Sequence, residues 1–357
     1  MKLKEFIKTN LLPILITCTI HSTAQVFQTT TSFNDARYAH CAAQSLFDRV
    51  LIFGGAVGSG SSVNSVYEYD PALNTWTSKT AIPTSSGLSK STCVRLSNGN
   101  VLFFGGSQNG PIPQSNEVLQ YNIPSDSWTI LTSLPNFQGR EQMESTLLND
   151  SLVLITGGLS TVSSALTYPS TSYLYNINTN TFTLAGILPH GMINHTSTLL
   201  PNGDVLITGG FDGNAAKEDG FVYNLQTGWR TLSTTLSLAV SSHRALLING
   251  KVYLYGGFNI PLFEFSNKLD VYDPSTDSIT SLNTGPLACS QFAMVSYNSN
   301  ILIAGGNKIL PNTSFGVTDE AYLYDVNNNT FTAISNLPTP RSGMEVAEMG
   351  NSGKFIF

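Results

Sequence analysis

The chain has 357 residues, of which 41% are hydrophobic, 10% aromatic and 11% charged, and 17 Lys and Arg against 23 Asp and Glu leave a net charge of −6. The charged share is less than half the usual one, and no basic block occurs, so nucleic acid is not expected as a partner. The surface is expected to be mildly acidic and sparsely charged.

Residues 1–24 carry Lys2, Lys4 and Lys8, then an apolar run over 11–20, then Ser22-Thr23-Ala24 before Gln25. A basic start, a short apolar stretch and small residues at the junction predict a secretory signal peptide cleaved after Ala24. The run is too short to span a bilayer. No transmembrane segment is expected after cleavage, and a secreted, periplasmic or cell-surface location in a bacterium is the corresponding expectation. Loss of this leader, with its three Lys and Glu5, takes the net charge from −6 to −8. Cys18 follows Leu15-Ile16-Thr17, a poor lipidation site because of the Thr. Cys41, Cys93 and Cys289 have neither CxxC nor ladder spacing, which predicts buried thiols rather than a disulfide framework or a metal site.

Six apolar runs then close on a glycine pair, with the first glycine at Gly54, Gly105, Gly157, Gly209, Gly256 and Gly305; the spacings are 51, 52, 52, 47 and 49. A strand-based period near fifty defines a repeat architecture. Downstream of each pair a Tyr precedes a large apolar residue by seven positions: Tyr69 and Trp76, Tyr121 and Trp128, Tyr175 and Phe182, Tyr272 and Ile279, Tyr324 and Phe331. Tyr223 and Trp229 are six apart, which predicts a turn one residue shorter. Turn formers such as Asp70-Pro71 and Asp273-Pro274 separate the two runs, and Asn98-Gly99, Asn202-Gly203 and Asn249-Gly250 mark a second hairpin upstream. Each unit therefore reads as four short antiparallel strands, a to d, with the diglycine ending strand b, and the fold class is all-β.

Units of this length with a diglycine, a Tyr and then a Trp resemble kelch repeats, and the resemblance covers the chain beyond the leader. It implies a kelch-type β-propeller, in which each unit is a blade. The blades are expected at about 37–86, 87–138, 139–190, 191–239, 240–288 and 289–339. Phe27 lies ten residues before Arg37, as Phe331 lies ten before Arg341. This places 25–32 in strand d of a closing blade whose strands a and b come from 340–357. Seven blades result, six complete and one shared by both termini. Counting from Met344 puts a seventh glycine pair just past Phe357, so the shared blade is expected to lack strand c and the chain to read as a fragment.

The tight a–b and c–d turns leave the b–c connections as the long, variable ones: 56–64, 107–117, 159–170, 211–219, 258–267 and 307–319. Variable loops on a rigid scaffold are where binding resides. Ile112, Tyr168, Phe211, Phe263, Phe265 and Phe315 are apolar tips, and Phe263 and Phe315 are candidate contacts for a protein or glycan ligand. Arg37, Arg140 and Arg341 begin strand a, followed by His40, Glu144, His195 and Glu345. Such a set could bind an acidic sugar or transfer protons. The alternative is structural, with the Arg residues bonded to carbonyls of the next blade, a reading that the repeat position shared by His40, His195 and His243 favours.

Galactose-oxidase-like propellers share the kelch repeat but hold copper with two Tyr and two His, one pair adjacent; this chain has no Tyr-His dipeptide. No GxSxG, P-loop or HExxH motif occurs, and Asp212, Glu218 and Asp219 lack the EF-hand spacing. The expectation is therefore a monomeric binding module with no cofactor, no metal and no catalytic residue. The alternative is a carbohydrate-active enzyme, either an acidic-sugar mutarotase or a degenerate oxidase.

Overall fold

The computed structural model describes residues 16–21, 24–32, 35–110, 113–297, 299–349 and 354–356. Among them the regular structure is β, apart from one 3-10 turn at Pro135–Phe137. Six four-stranded sheets follow one another along the chain in the expected order a-b-c-d. Blade 1 runs from Cys41–Gln44 to Thr75–Lys79, blade 2 from Thr92–Arg95 to Ser127–Ser133 and blade 3 from Glu141–Asn149 to Thr181–Ile187. Blade 4 runs from Thr196–Leu199 to Gly228–Thr231, blade 5 from Arg244–Ile248 to Ser278–Thr284 and blade 6 from Ala293–Tyr297 to Thr330–Ala333.

The expected count of seven blades, the last of them three-stranded, is corrected. The complete blades built from contiguous chain number six among the described residues. The termini form a composite sheet of four strands, ordered Ala347–Glu348, Lys354–Ile356, Ile16–His21 and Ala24–Thr29. Ile16–His21, inside the segment read as a leader, takes the strand-c place. Its alternation of apolar and polar residues suits a strand as well as an h-region, an ambiguity that short apolar runs carry. Phe27 lies in the fourth strand and is buried, as its repeat position requires.

Two compact units divide the chain: residues 1–141, 303–322 and 333–357, and residues 142–302 and 323–332. In the first, Phe53, Phe103, Tyr121 and Trp128 pack edge-on or tilted, with centroids 4.9 to 5.9 Å apart, around buried Leu51, Val66 and Leu119. In the second, Leu206, Val222, Val252, Leu254 and Tyr272 form a comparable core. Each fully buried side chain of this size contributes roughly 1.5–3 kcal/mol.

The Tyr and the aromatic seven positions on face each other across strands c and d, as Tyr69 faces Trp76 and Tyr121 faces Trp128. The Tyr hydroxyl also reaches the turn between them. It donates to the fifth residue on: Tyr69 to Asn74 at 3.0 Å, Tyr121 to Asp126 at 2.6 Å, Tyr175 to Asn180 at 2.7 Å, Tyr272 to Asp277 at 2.8 Å and Tyr324 to Asn329 at 2.6 Å. All five acceptors have φ between 48° and 55°, a conformation Asn and Asp tolerate better than most residues. In blade 4, Gly228 holds that place at φ 79°, which accounts for the shorter spacing to Trp229. The Trp indoles in turn tie blades together: Nε1 of Trp76 donates to Thr31 O at 2.7 Å, that of Trp128 to Thr80 O at 2.9 Å and that of Trp229 to Ser172 Oγ at 2.8 Å. Replacing Tyr121 by Phe should lower stability by about 1–2 kcal/mol in a denaturant titration. Tyr223→Phe, with no Asn or Asp at the matching place, should cost less; equal costs would remove this bond from the account.

Candidate functional site

The long b–c loops are anchored by a recurring closed set of three backbone hydrogen bonds. In blade 4, Gly210 N–H donates to Val240 O at 2.9 Å, Val240 N–H to Lys217 O at 2.9 Å, and Lys217 N–H to Gly210 O at 2.8 Å. The same triangle joins Gly55, Leu88 and Val63, then Gly106, Arg140 and Ser115, then Gly257, Cys289 and Ser266, then Gly306, Arg341 and Thr318, with distances from 2.8 to 3.2 Å. It binds the second glycine, the end of the loop and the linker into the next blade, and satisfies buried backbone groups that a wandering loop would leave unpaired. Three of the connections read as loops are themselves hairpins. Leu152–Val162 continues past its glycines to pair with Ala165–Thr167, Phe258–Asn259 pairs with Glu264–Phe265, and Asn307–Ile309 with Phe315–Val317.

In the second unit the tips are apolar and exposed: Leu166 61%, Leu262 63% and Phe263 58%. Phe263 has φ 51° and its ring sits edge-on to Phe258 at 6.1 Å. Tyr168 meets Phe211 edge-on at 5.9 Å, and its ring lies so close to Gly213 that an added Cβ would stand 2.3 Å from Cε2. In the first unit, Phe315 is half-buried opposite Ile309, which is 44% exposed. Ile112 lies outside the described residues.

Charges on the loops are mostly paired. Lys217 holds Asp212 at 2.6 Å, and that contact with the Asn214 and Ala215 N–H groups brings the Asp212 carboxyl down to about 2. His190 meets Asp219 at 3.0 Å, and Lys308 meets Glu320 at 2.6 Å.

The residues at the start of strand a are mainly turned into the packing. Arg37 is buried; its Nη1 donates to Gly54 O at 2.9 Å and Ser65 O at 3.3 Å, and its Nη2 to Ser65 Oγ at 3.0 Å. These carbonyls belong to its own blade, not the next one as expected: Gly54 follows its strand b and Ser65 precedes its strand c. Arg140 is buried and Arg341 half-buried; burial lowers the Arg341 guanidinium to about 10, and its Nη2 donates to Thr339 Oγ1 at 2.8 Å. Glu144 and Glu345 are half-buried. His195 Nε2 meets Thr156 Oγ1 at 2.8 Å, and His243 Nε2 meets Thr208 Oγ1 at 2.9 Å. Burial holds His195 and His243 down to about 3, and His40, beside Arg37, to about 4. Among the described residues no group of three or more His, Cys, Asp or Glu is placed to hold a metal ion, and no helix is long and apolar enough to cross a membrane.

Four-stranded blades, diglycine strand ends and loops held by backbone triangles define a kelch-type β-propeller. Residues 5–264 match the Attractin/LZTR1 beta-propeller family, and the chain belongs to it. It is also similar to kelch-like protein 15 of Danio rerio, 24% identical over 60% of this chain and 38% of that protein. Kelch-like protein terF of Aspergillus terreus is 24% identical over 76% of this chain and 61% of its own length. Kelch-like protein 35 of Mus musculus is 24% identical over 62% of this chain and 35% of its own length. The chain thus matches less than two thirds of each relative.

Proposed function

We propose that the chain is a secreted or cell-surface recognition module that binds a protein partner through its b–c loops, with the tips of blades 3 and 5 as anchors. Kelch propellers in general bind proteins. Phe263 carries the reading: a bulky residue kept at φ 51° and 58% exposed gains little packing for its strain, and such outliers cluster where ligands bind. Leu166 and Leu262 extend the apolar surface on two hairpins, and rigid hairpins lose little entropy on binding. The basic, apolar and small-residue order of 1–24 supports export, although Ile16–His21 of that segment is paired into the closing sheet.

A glycan on the same loops would need an open aromatic face, and Gly213 covers that of Tyr168. An enzymatic role would need the strand-a Arg and His presented to a substrate, whereas Arg37 and His195 are buried. Photo-cross-linking from p-benzoylphenylalanine in place of Leu262, in cells that produce the protein, should yield a discrete adduct. The same group in place of Leu225, on a c–d turn, should not. Phe263→Ala should abolish the partner's binding with the melting temperature unchanged. Equal adducts at both positions, or full binding by the variant, would overturn the reading.

A further inference from the structure

At the end away from its b–c connection, blade 1 carries two turns that depart from those of the other repeats. Its a–b turn is Leu46-Phe47-Asp48-Arg49, closed by a bond from Arg49 N–H to Leu46 O at 3.2 Å. Phe47 and Asp48 both have positive φ, 54° and 62°, as a type I′ turn requires, and Asn-Gly is the pair best suited to it. Blade 5 makes its a–b turn with that pair, Asn249-Gly250, at φ 50° and 80°. Blades 2, 3, 4 and 6 have Asn98-Gly99, Asn149-Asp150, Asn202-Gly203 and Asn298-Ser299 at the corresponding place. Blade 1 instead has an aromatic, and Phe47 is 85% exposed. Leu73, on the c–d turn, is 70% exposed, where the turns of equal length have Ser125, Thr179, Thr276 and Asn328. The two turns are tied together. Arg49 Nη2 donates to Asp70 Oδ2 at 2.6 Å, and Asp70 Oδ1 accepts from the Ala72 and Leu73 N–H groups at 2.9 and 3.2 Å. Leu46, Phe47 and Leu73 thus stand on one braced platform.

We propose that this platform is the contact through which two copies of the chain pair about a two-fold axis. A strained turn that holds its Phe in solvent gains the fold neither packing nor local preference, so the gain lies in what covers it. The charges beside it favour a second copy. Asp48 and Arg95 are both exposed, and neither has a partner among the described residues. Arg95 ends strand a of blade 2 on the same side of the fold. Lys90 N–H donates to Ala39 O at 2.8 Å, so the strands a of blades 1 and 2 start side by side, and Arg95 lies level with Gln44, just before the turn. An apolar centre with one free charge of each sign is self-complementary, because a two-fold axis sets Asp48 of each copy against Arg95 of the other. Arg49 takes no part, being held within its own blade by Asp70 and Glu68. An anionic lipid surface would ask for several free cations, and here one stands beside a carboxylate. Only 11% of residues are charged, which keeps repulsion between two acidic copies small. The monomer expected from the sequence then holds only at low concentration, and the b–c end of blade 1 stays open in the pair.

Sedimentation velocity of the chain from about 1 to about 200 μM, the range in which small interfaces associate, should show a monomer–dimer equilibrium. The double variant Phe47→Asn, Asp48→Gly, which copies the turn of blade 5, should melt higher because strain is relieved, yet stay monomeric throughout. Leu73→Ser, outside the strained turn, should weaken pairing by roughly tenfold or more, with the melting temperature at the lowest concentration unchanged. Asp48→Arg should weaken pairing as well, and Asp48→Arg combined with Arg95→Asp should restore it. Leu262→Ser should leave pairing untouched, which separates this surface from the loop tips. A monomer at every concentration, whether or not it floats with phosphatidylcholine vesicles, would overturn the proposal. So would a dimer indifferent to the turn variant, or a charge reversal that the second substitution does not repair.

Discussion

Lowering the pH from 7 to 5 should remove roughly 6 kcal/mol of stability through three histidines alone, about 2 kcal/mol each. His195 and His243 are fully buried with pKa values near 3, and His40 with one near 4, mainly because burial disfavours the imidazolium. Neighbouring charge adds to it: His243 beside His195, Arg244 beside His243 and Arg37 beside His40. The unfolded chain takes up protons near pH 6.5 and the folded chain does not, so the unfolded state binds more protons throughout the window. Stability is therefore complete above pH 6.5 and falls as the pH drops toward 4, with a limiting slope of about 4 kcal/mol per pH unit for three groups. The depressed carboxyls of Asp212 and Asp273, both near 2, lose their contribution only below the unfolded value of about 3.9. They leave the upper window to the imidazoles. A domain of ordinary stability has 5–15 kcal/mol to lose, so the transition should come near pH 5. His243→Phe, which copies Phe292 at the same repeat position, should start less stable at pH 8 because it loses the Thr208 contact. Its slope should be shallower by a third. An unchanged slope in urea titrations across pH 5–6.5 would remove His243 from the explanation.

The backbone plan was legible because it is written in residues with strong local preferences. Glycine pairs at a fixed period, Asn-Gly turns and the Tyr-to-Trp spacing name the strands without knowledge of their neighbours, and the buried Phe27 sits where its ten-residue offset from Arg37 places it. What escaped the sequence depends on contacts between repeats. At three of the repeats the residue before the glycine pair meets the first core residue of the next blade: Thr156 meets His195, Thr208 meets His243 and Tyr255 meets Phe292 at 5.6 Å. The two partners vary together, but only the fold brings them within reach. Positive φ at Lys90, Gln142 and Gln291 escaped for the opposite reason: nothing in a Lys or Gln announces that conformation, which is imposed by the hydrogen bonds on either side. Arg37 bonds to backbone carbonyls as the structural reading expected, but to those of its own blade, because a long side chain can turn to its own blade as readily as to the next. The loops were placed correctly, yet their internal pairing, as in Asn307–Ile309 with Phe315–Val317, rests on short runs too brief to read as strands.

Gly157→Ala should be among the most damaging single substitutions outside the aromatic core, lowering stability by several kcal/mol, and Gly250→Ala should be close to its lower bound. Both glycines have positive φ, 65° and 80°, so both substitutions incur the left-handed penalty of roughly 1–2 kcal/mol. Their surroundings separate them. A Cβ on Gly157 would stand 2.3 Å from Met192 O and 2.6 Å from His195 Cε1, whereas one on Gly250 meets nothing within 4 Å. The carbonyl cannot yield cheaply, because it accepts the 2.8 Å bond from Gly158 N–H. The imidazole is fixed through Thr156. Relief therefore requires blades 3 and 4 to part at the point where the linker and the loop base are joined, which costs the bond as well as the overlap. For a chain of this length each kcal/mol corresponds to about 2–4 °C or less of melting temperature. Gly250→Ala should therefore shift the transition by a few degrees, whereas Gly157→Ala should shift it several times further or prevent folding. Paired thermal scans of the two variants decide the matter. Similar shifts would mean that the first glycine of each pair is there for its backbone conformation alone, and that the close approach of the next blade follows from it rather than demands it.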